Sequence, residues 1–380
     1  MKTNQLQKNI HSDWQEVKLS EISVINMGQS PLSSAYNETK DGLPLIQGNN
    51  DIKNKKTVGN IWTTEITKIA EKGQLILTVR APVGTVGIAH DKVCIGRGVC
   101  AIESKYKPFL WHFLNYFETK WSTLEQGSTF TAVNSSDIKK IKIQLPSLSE
   151  QNRIVSVLET WDKSIEKLTQ KIEAKKKIKK GLMQDLLTEK KRLNGFKDKW
   201  KTVELGELLD YEQPTKYIVS DIDYSDDYKI PVLTANKGFI LGYTDETEGI
   251  YKNTPVIIFD DFTMDNKFVD FEFKVKSSAI KILTPKNKDV NIKFVFERIQ
   301  LINIVIGEHR RHYLSEYQYI TIDVPNIKEQ NAIANILTTA DKEITELEKK
   351  LSILKEQKRY ILNNLITGTI RTPETLSIKS

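Results

Sequence analysis

The sequence predicts two α/β (α+β) domains in tandem, joined by two long α-helices that pair as an antiparallel coiled coil. Three observations carry this. A block of about 40 residues recurs without a gap, and such repeats decide the architecture before any finer reading. The block has a heptad seam in both copies. Short strand-and-turn strings that precede the first copy come back before the second.

The repeat begins at Leu145-Pro146-Ser147-Leu148-Ser149-Glu150-Gln151-Asn152 and returns as Val324-Pro325-Asn326-Ile327-Lys328-Glu329-Gln330-Asn331, with 325 − 146 = 179 and 329 − 150 = 179. At that offset Ile154 meets Ile333, Leu158 meets Leu337, Asp162-Lys163 meets Asp341-Lys342, and Thr188 meets Thr367. Pro146 and Pro325 end an extended run, because proline disfavours helix in the residue before it. Apolar positions then step by three and four: Leu158, Trp161, Ile165, Leu168, Ile172, Leu182 and Leu186 in one copy. The other has Leu337, Ala340, Ile344, Leu347, Leu351, Leu354, Ile361 and Leu365. With Lys and Glu between them, this is an a/d seam. Lys175, Lys179 and Lys358 interrupt it, and Lys179 and Lys358 are equivalent positions. They form either a polar layer that sets register or long stems that snorkel to water. A helix of about 40 residues is about 60 Å long, and two such rods in one chain most simply pair with each other.

The 380 residues allow two or three domains, and 39% hydrophobic with 28% charged residues suits a soluble globular protein with charge-rich helices. A net charge of +7 and a pI of about 9.0 favour a polyanionic partner, although lysine-rich coiled coils are basic too. Cys94 and Cys100 lie in an apolar run without His or Cys at metal spacing, so they read as buried thiols in a reducing compartment and no metal is expected. Met1-Lys2-Thr3-Asn4-Gln5 lacks the apolar core of a signal peptide, and no apolar run is long enough to span a membrane. A cytoplasmic protein of bacterial type is expected.

In chain order, Asp13-Trp14 through Ile22 opens the first globular region, and Lys199-Trp200 through Leu208 echoes it. Leu43–Asn50 and Ile230–Lys237 are each a short apolar strand leading into a polar tip, and Gln74–Arg80 and Pro255–Asp261 are the next strands. Aromatic helical stretches follow at Pro108–Phe117 and Ile292–Ile302, and Ile141–Leu145 and Ile320–Val324 close the two regions. The expected division is a first domain over 1–145, a helix over 146–192, a second domain over 193–324, a helix over 325–371 and a tail over 372–380. Framing strands recur while the tips between them differ, as in two related sites that read different things.

Catalytic signatures are missing. None of the eleven prolines precedes another, so the Asn/Asp-Pro-Pro-aromatic loop of a DNA amino-methyltransferase is absent. No glycine precedes lysine, which excludes a P-loop, and neither Gly-x-Ser-x-Gly nor His-Glu-x-x-His occurs. Asp260 and Asp261 with Glu272-Phe273-Lys274 imitate a metal-dependent nuclease site, yet Glu-x-Lys also occurs at Glu103, Glu173 and Glu348. Alternation of Phe271, Phe273 and Val275 reads instead as a strand with exposed charges between them.

Candidate DNA-binding residues lie at the tips. His309-Arg310-Arg311-His312-Tyr313 is the densest cation-aromatic cluster, and arginine can grip guanine O6 and N7 or a phosphate. The matching stretch of the first half, Gly127–Asn134, offers Ser128, Thr129 and Asn134 for close backbone approach. Arg80 ends a strand, and Asn49 and Lys237 sit at loop tips.

With these residues in place, the chain resembles the specificity (S) subunits of type I restriction–modification systems along nearly its whole length. Leu145-Pro146-x-x-x-Glu150-Gln151-x-x-Ile154 and Val324-Pro325-x-x-x-Glu329-Gln330-x-x-Ile333 look like that family's central and distal conserved regions, the latter running through Leu365-Ile366-Thr367-Gly368. Gly127-Ser128-Thr129 and His309–Leu314 are typical ends of its target-recognition domains. The resemblance implies a non-enzymatic reader of double-stranded DNA in which each target-recognition domain takes one half of a split, asymmetric site. It also implies two methyltransferase (M) subunits docked on the helices, and restriction (R) subunits. S-adenosylmethionine, ATP and Mg would then reside on those partners, with no cofactor in this chain. Glu189 stands where the second copy has Gly368 (189 + 179 = 368), so the first helix is expected to run on past that point. The rival readings are a self-contained metal-dependent DNA enzyme and a coiled-coil tether that binds protein.

Overall fold

The computed structural model describes residues 13–118, 120–121, 133–235, 238–302, 312–313 and 316–376. The chain divides into two compact units, Met1–Leu168 with Lys350–Ser380, and Thr169–Lys349. Each unit holds one globular domain and one stretch of each long helix, the central helix Leu148–Leu186 and the distal helix Ile327–Ile366.

In the first unit, a six-stranded sheet runs in the order Val24–Met27, Val99–Glu103, Leu75–Thr78, Val86–Ile88, Lys56–Thr57, Ile52–Lys53. A five-stranded sheet built around Leu43–Ile46 and Val93–Ile95 accompanies it. Leu75–Thr78 is buried on every residue because both of its faces are covered. Leu75 and Leu77 pack with Phe109, Leu110 and Phe113 of the helix Lys107–Glu118, whereas Ile76 packs with Ile46, Ile95 and Ala101. The period-two geometry of a strand thus divides the core into a helix side and a sheet side. Cys94 and Cys100 are buried free thiols, and burial pushes the Cys100 thiol up to about 12.

The second unit repeats the plan with a four-stranded sheet in the order Leu209–Glu212, Ile280–Pro285, Val256–Asp260, Asn266–Val269. A three-stranded sheet around Ile230–Leu233 accompanies it. Ile257 and Phe259 face the helix Ile292–Ile299, and Val256 and Ile258 pack with Leu233 and Val275. Each domain closes on a two-stranded antiparallel pair, Gln15–Lys18 with Lys142–Leu145 and Lys201–Glu204 with Thr321–Val324.

The repeated Pro-x-x-x-Glu-Gln string starts both long helices in the same way. Gln151 Nε2 donates to the Pro146 carbonyl at 2.8 Å, and Gln330 Nε2 to the Pro325 carbonyl at 2.9 Å. The glutamate meets an arginine that follows the end of the other long helix. In the first unit Arg371 Nε and Nη2 reach Glu150 at 2.5 and 2.6 Å, and in the second Arg192 Nε and Nη2 reach Glu329 at 3.0 and 2.6 Å. Both forks are bidentate, the geometry in which a guanidinium holds a carboxylate best.

The central helix does not run on through Glu189. It ends at Leu186, and Glu189 takes the left-handed conformation with φ +60°, as Gly368 does with φ +71°. The reason is the same backbone closure at both ends: Lys191 N donates to Asp185 O at 3.0 Å, and Ile370 N to Asn364 O at 3.1 Å. This bond, from an N–H six residues further on, closes both helix ends around a left-handed residue at the same position. A non-glycine residue there costs about 1 kcal/mol or more. Glu189→Gly should therefore stabilise the chain by about 1 kcal/mol in urea unfolding, while Gly368→Ala should destabilise it by a similar amount.

Candidate functional site

The tips meet at a knot of backbone hydrogen bonds. In the first unit Val79 N donates to Gly98 O at 2.8 Å, Val133 N donates to Val79 O at 2.8 Å, and Gly96 N donates to Ile46 O at 2.8 Å. Arg80 and Asn134 directly follow knotted residues, and Asn49 lies just past Gln47-Gly48, on which Gly98 is seated: a Cβ on Gly98 would lie 1.8 Å from Gln47 O. Three residues singled out from sequence are thus gathered at one corner. Arg80 is exposed. Asn134 caps the short helix Ser135–Lys139, accepting from Ser136 N at 2.8 Å and Asp137 N at 3.1 Å. Asn49 opens the 3-10 turn Asn49–Asp51 and, with Asn50, Ile52, Lys53 and Asn60, lines an open groove. Asp51 fixes that loop by accepting from Gln47 N at 2.7 Å and Gly48 N at 3.2 Å. Amide and ammonium groups on a fixed loop suit base edges and phosphates.

The second unit ties the same knot with other residues. Asp261 N donates to Ala279 O at 2.9 Å, His312 N to Asp261 O at 2.9 Å, and Lys276 N to Leu233 O at 3.0 Å. His312 is the counterpart of Val133, again at an offset of 179 (133 + 179 = 312). Ser128, Thr129, Lys237, His309, Arg310 and Arg311 lie outside the described residues. Tyr313, grouped with the DNA-binding residues on sequence grounds, is placed otherwise. It is 1% exposed, its ring packs against Phe259, Tyr211 and Tyr317, and burial pushes its phenol up to about 12. Asp261 Oδ1 accepts from its backbone N–H at 2.9 Å. Tyr313 therefore anchors the chain just after the basic cluster, because an aromatic ring beside an apolar strand is better buried than offered to a ligand.

Within each unit the two long helices run antiparallel. In the first, Asp162 pairs with Lys358; in the second, Lys179 pairs with Asp341 at 2.6 Å and Lys175 with Glu343 at 2.8 Å. Asp162 and Asp341 are equivalent (162 + 179 = 341), so each unit carries its own copy of the polar layer. Each layer also touches its domain. Glu297, 1% exposed, accepts from Lys179 at 3.2 Å and Lys293 at 2.7 Å, and Lys293 reaches Asp341 at 2.9 Å. Burial pushes the Asp341 carboxyl up, but hydrogen bonds from Lys179 and Lys293 outweigh it and hold the carboxyl below its usual range. In the first unit the buried His112 lies near Asp162 and Lys358. Of the seam, Leu158 and Leu365 join the first domain's core and Leu186 and Leu337 the second's, with Leu182 packed against the latter. Ile172 is also buried, whereas Ile165, Leu168, Ile344, Leu347, Leu351 and Leu354 are half-buried.

The model of the type I restriction modification DNA specificity domain matches this chain twice, over residues 11–176 and 197–356. The chain belongs to that family. Among curated relatives, the Escherichia coli type I restriction enzyme EcoR124I/EcoR124II specificity subunit is 43% identical over 190 residues, 47% of this chain and 46% of that protein. That match spans about half the relative's length. The Methanocaldococcus jannaschii type I restriction enzyme MjaVIII specificity subunit is 22% identical over 402 residues, 95% of this chain and 94% of its own length. The crystal structure of the type I restriction–modification S subunit from M. genitalium has the same fold, with a TM-score of 0.62 at 17% identity over 95% of this chain and 97% of that one.

In a specificity subunit no catalytic centre is expected, and the residues that imitate one have structural partners. Asp260 Oδ1 accepts from Phe262 N and Thr263 N, both at 2.9 Å, and Asp261 pairs with the buried Lys281 at 3.4 Å. Lys274 was expected to be an exposed charge between Phe273 and Val275. It is buried instead, because Glu246 meets it at 2.5 Å and the Glu248 carbonyl at 2.7 Å. Among the described residues no helix is long and apolar enough to cross a membrane.

Two expectations follow for the helix pair. Leu158→Ala and Leu337→Ala, at fully buried positions, should each cost about 2–5 kcal/mol in chemical unfolding, and Leu168→Ala distinctly less. Burial lowers the His112 imidazole from 6.5 to about 4, with Asp162 opposing and Lys358 adding to the shift. Between those values the unfolded chain binds a proton that the folded chain refuses. Stability should therefore fall by about 3 kcal/mol as pH drops through that window. His112→Gln should remove that part of the pH dependence measured by thermal unfolding.

Proposed function

We propose that this chain is the DNA-reading subunit of a type I restriction–modification complex, each domain reading one half of a bipartite, asymmetric duplex site. The observation that carries the reading is a backbone knot built on one plan in both units from different residues: Val79 and Val133, followed by Arg80 and Asn134, in one, and Asp261 and His312, followed by Phe262 and Tyr313, in the other. Two scaffolds of one plan with unlike tips suit two unlike half-sites. The basic sequence His309-Arg310-Arg311 supports the same reading for the second domain, since arginine forks fit guanine and phosphate.

The paired helices hold the gap between half-sites and dock two methyltransferase subunits. Exposed apolar side chains on them support docking: Ile178 is 56% exposed, Ile353 54% and Tyr360 62%. Restriction subunits complete the assembly, and S-adenosylmethionine, ATP and Mg reside on these partners.

Methylation-aware sequencing of a host expressing the chain with its methyltransferase tests this directly. The expected motif has two defined halves and an unread gap. Four residues inserted within 176–180 lengthen the helix by about 6 Å, one to two base-pair rises, and turn it slightly beyond one revolution. Both halves should persist while the gap grows by about one or two base pairs, with some loss of activity. A motif without a gap, or an unchanged gap at full activity, would refute the arrangement.

A further inference from the structure

Besides Arg80, the corner of the first domain presents a second arginine that sequence reading passed over. Arg97 lies at the tip of the turn Gly96-Arg97-Gly98-Val99, closed by Val99 N donating to Gly96 O at 3.2 Å. The strands Leu75–Thr78 and Val99–Glu103 pair antiparallel with Thr78 opposite Val99, and Val79 N continues the ladder to Gly98 O at 2.8 Å. Arg80 and Arg97 are the next residues on either side of that bond. Both are exposed, and among the described residues neither guanidinium has a hydrogen-bonding or ion-pair partner.

The turn is held unusually firmly for a loop tip. Gly98 is pressed on Gln47 O, and Gly96 O lies 2.1 Å from where a Cβ on Gly28 would be. Arg97 N donates to Ser30 Oγ at 3.1 Å, and Gln29 N to Ile95 O at 2.9 Å. Only the arginine side chain is left to project. Arg80 and Arg97 lie opposite each other across the strand pair with, among the described residues, no carboxylate bonded to either, and such a pair of guanidinium groups attracts an anion or an electron-rich base edge. In the second unit the ladder bond from Asp261 N to Ala279 O puts the uncharged Phe262 and Ser278 at these places, and the turn before Ala279 is one residue longer, starting at Lys276. The corner is therefore where the two domains differ in chemistry on a shared strand plan.

We propose that Arg97, with Arg80 beside it, is the residue by which the first domain selects a guanine in its half of the DNA site. This deepens, and rests on, the DNA-reading function above. A guanidinium at a rigid tip can give two parallel hydrogen bonds to guanine O6 and N7, a match that no other base edge in the major groove offers. Arg80, one step behind the tip, is placed for the adjoining phosphate.

The test selects a random-sequence duplex DNA pool on the full chain co-purified with its methyltransferase subunit, for wild type, Arg97→Ala and Arg97→Lys. Both variants should keep the wild-type melting temperature, since the side chain is exposed. With Arg97→Ala one guanine of the first half-site should become degenerate, its preference falling about 10- to 100-fold, while the second half-site is unchanged. Arg97→Lys keeps the charge and loses the fork, so the same guanine preference should fall while the salt dependence of binding stays at the wild-type slope. A uniform loss of affinity across sequences with a shallower salt slope would make Arg97 a phosphate contact and overturn the proposal. So would an unchanged motif or a change in the second half-site. If wild type itself selected no motif, the DNA-reading function would fail, and the assignment of Arg97 with it.

Discussion

A glutamate that a fold removes from water must be met by a cation, and here that demand arises twice at equivalent places. Glu150 is 2% exposed and Glu329 is fully buried. Each is the third residue of a long helix, where the helix dipole already favours negative charge, and each takes both arms of an arginine lying beyond the end of the other helix. The pair fixes the antiparallel sense within its own unit, because only an antiparallel partner brings its far end to this helix start. Arg371 goes further and joins Asp13 at 2.7 Å, while Trp14 donates from Nε1 to Glu150 at 3.0 Å. One ion pair thereby ties helix start, helix end and the first strand of the domain together. In the second unit Trp200 Nε1 is buried with no hydrogen-bonding partner among the described residues, so the duplicated clamp is not duplicated in every detail.

The knots at the tips obey a different rule. They are made from backbone N–H and C=O groups alone, which every residue but proline supplies. Glycine is needed only where chains press together, as at Gly98 against Gln47 O; the second unit makes the corresponding bond with Ala279. A corner held by its backbone leaves its side chains free to change without loss of fold, which is what a reading surface requires.

Much of this was legible in the sequence, for a physical reason. A seam with a helical period and a repeat at one offset survive any tertiary context, so the helices, their pairing and the tandem plan follow from spacing alone. The equivalence of Lys179 and Lys358 is likewise visible, and both prove to be members of ion-paired layers. What escaped depended on single contacts between distant residues. Glu189 is a poor left-handed residue by type, yet a hydrogen bond from Lys191 to Asp185 closes the helix end around it in that conformation. Lys274 looks like a surface charge until Glu246, 28 residues earlier (274 − 246 = 28), is seen beside it. Tyr313 belongs by sequence to a basic cluster and by packing to the core. Arg97 sits in a Gly-Arg-Gly string of ordinary appearance, and only the strand register sets it next to Arg80.

The distribution of burial along the helices bears on what they are for. Leu158 and Leu365 on one side of the repeat, and Leu186 and Leu337 on the other, are covered because domain cores reach them. Outside these cores Ile172 is buried, but a two-helix contact covers most apolar side chains from one direction only. Ile165, Leu168, Ile344 and Leu347 are accordingly only half-buried. A pair of isolated helices of this composition would be weakly held, and lysine–carboxylate pairs such as Lys176–Glu348 at 2.8 Å, each about half-exposed, contribute little. Incomplete cover at Ile165, Leu168, Ile344 and Leu347 supports the docking proposed for the helices, because it leaves apolar surface whose burial a partner can complete.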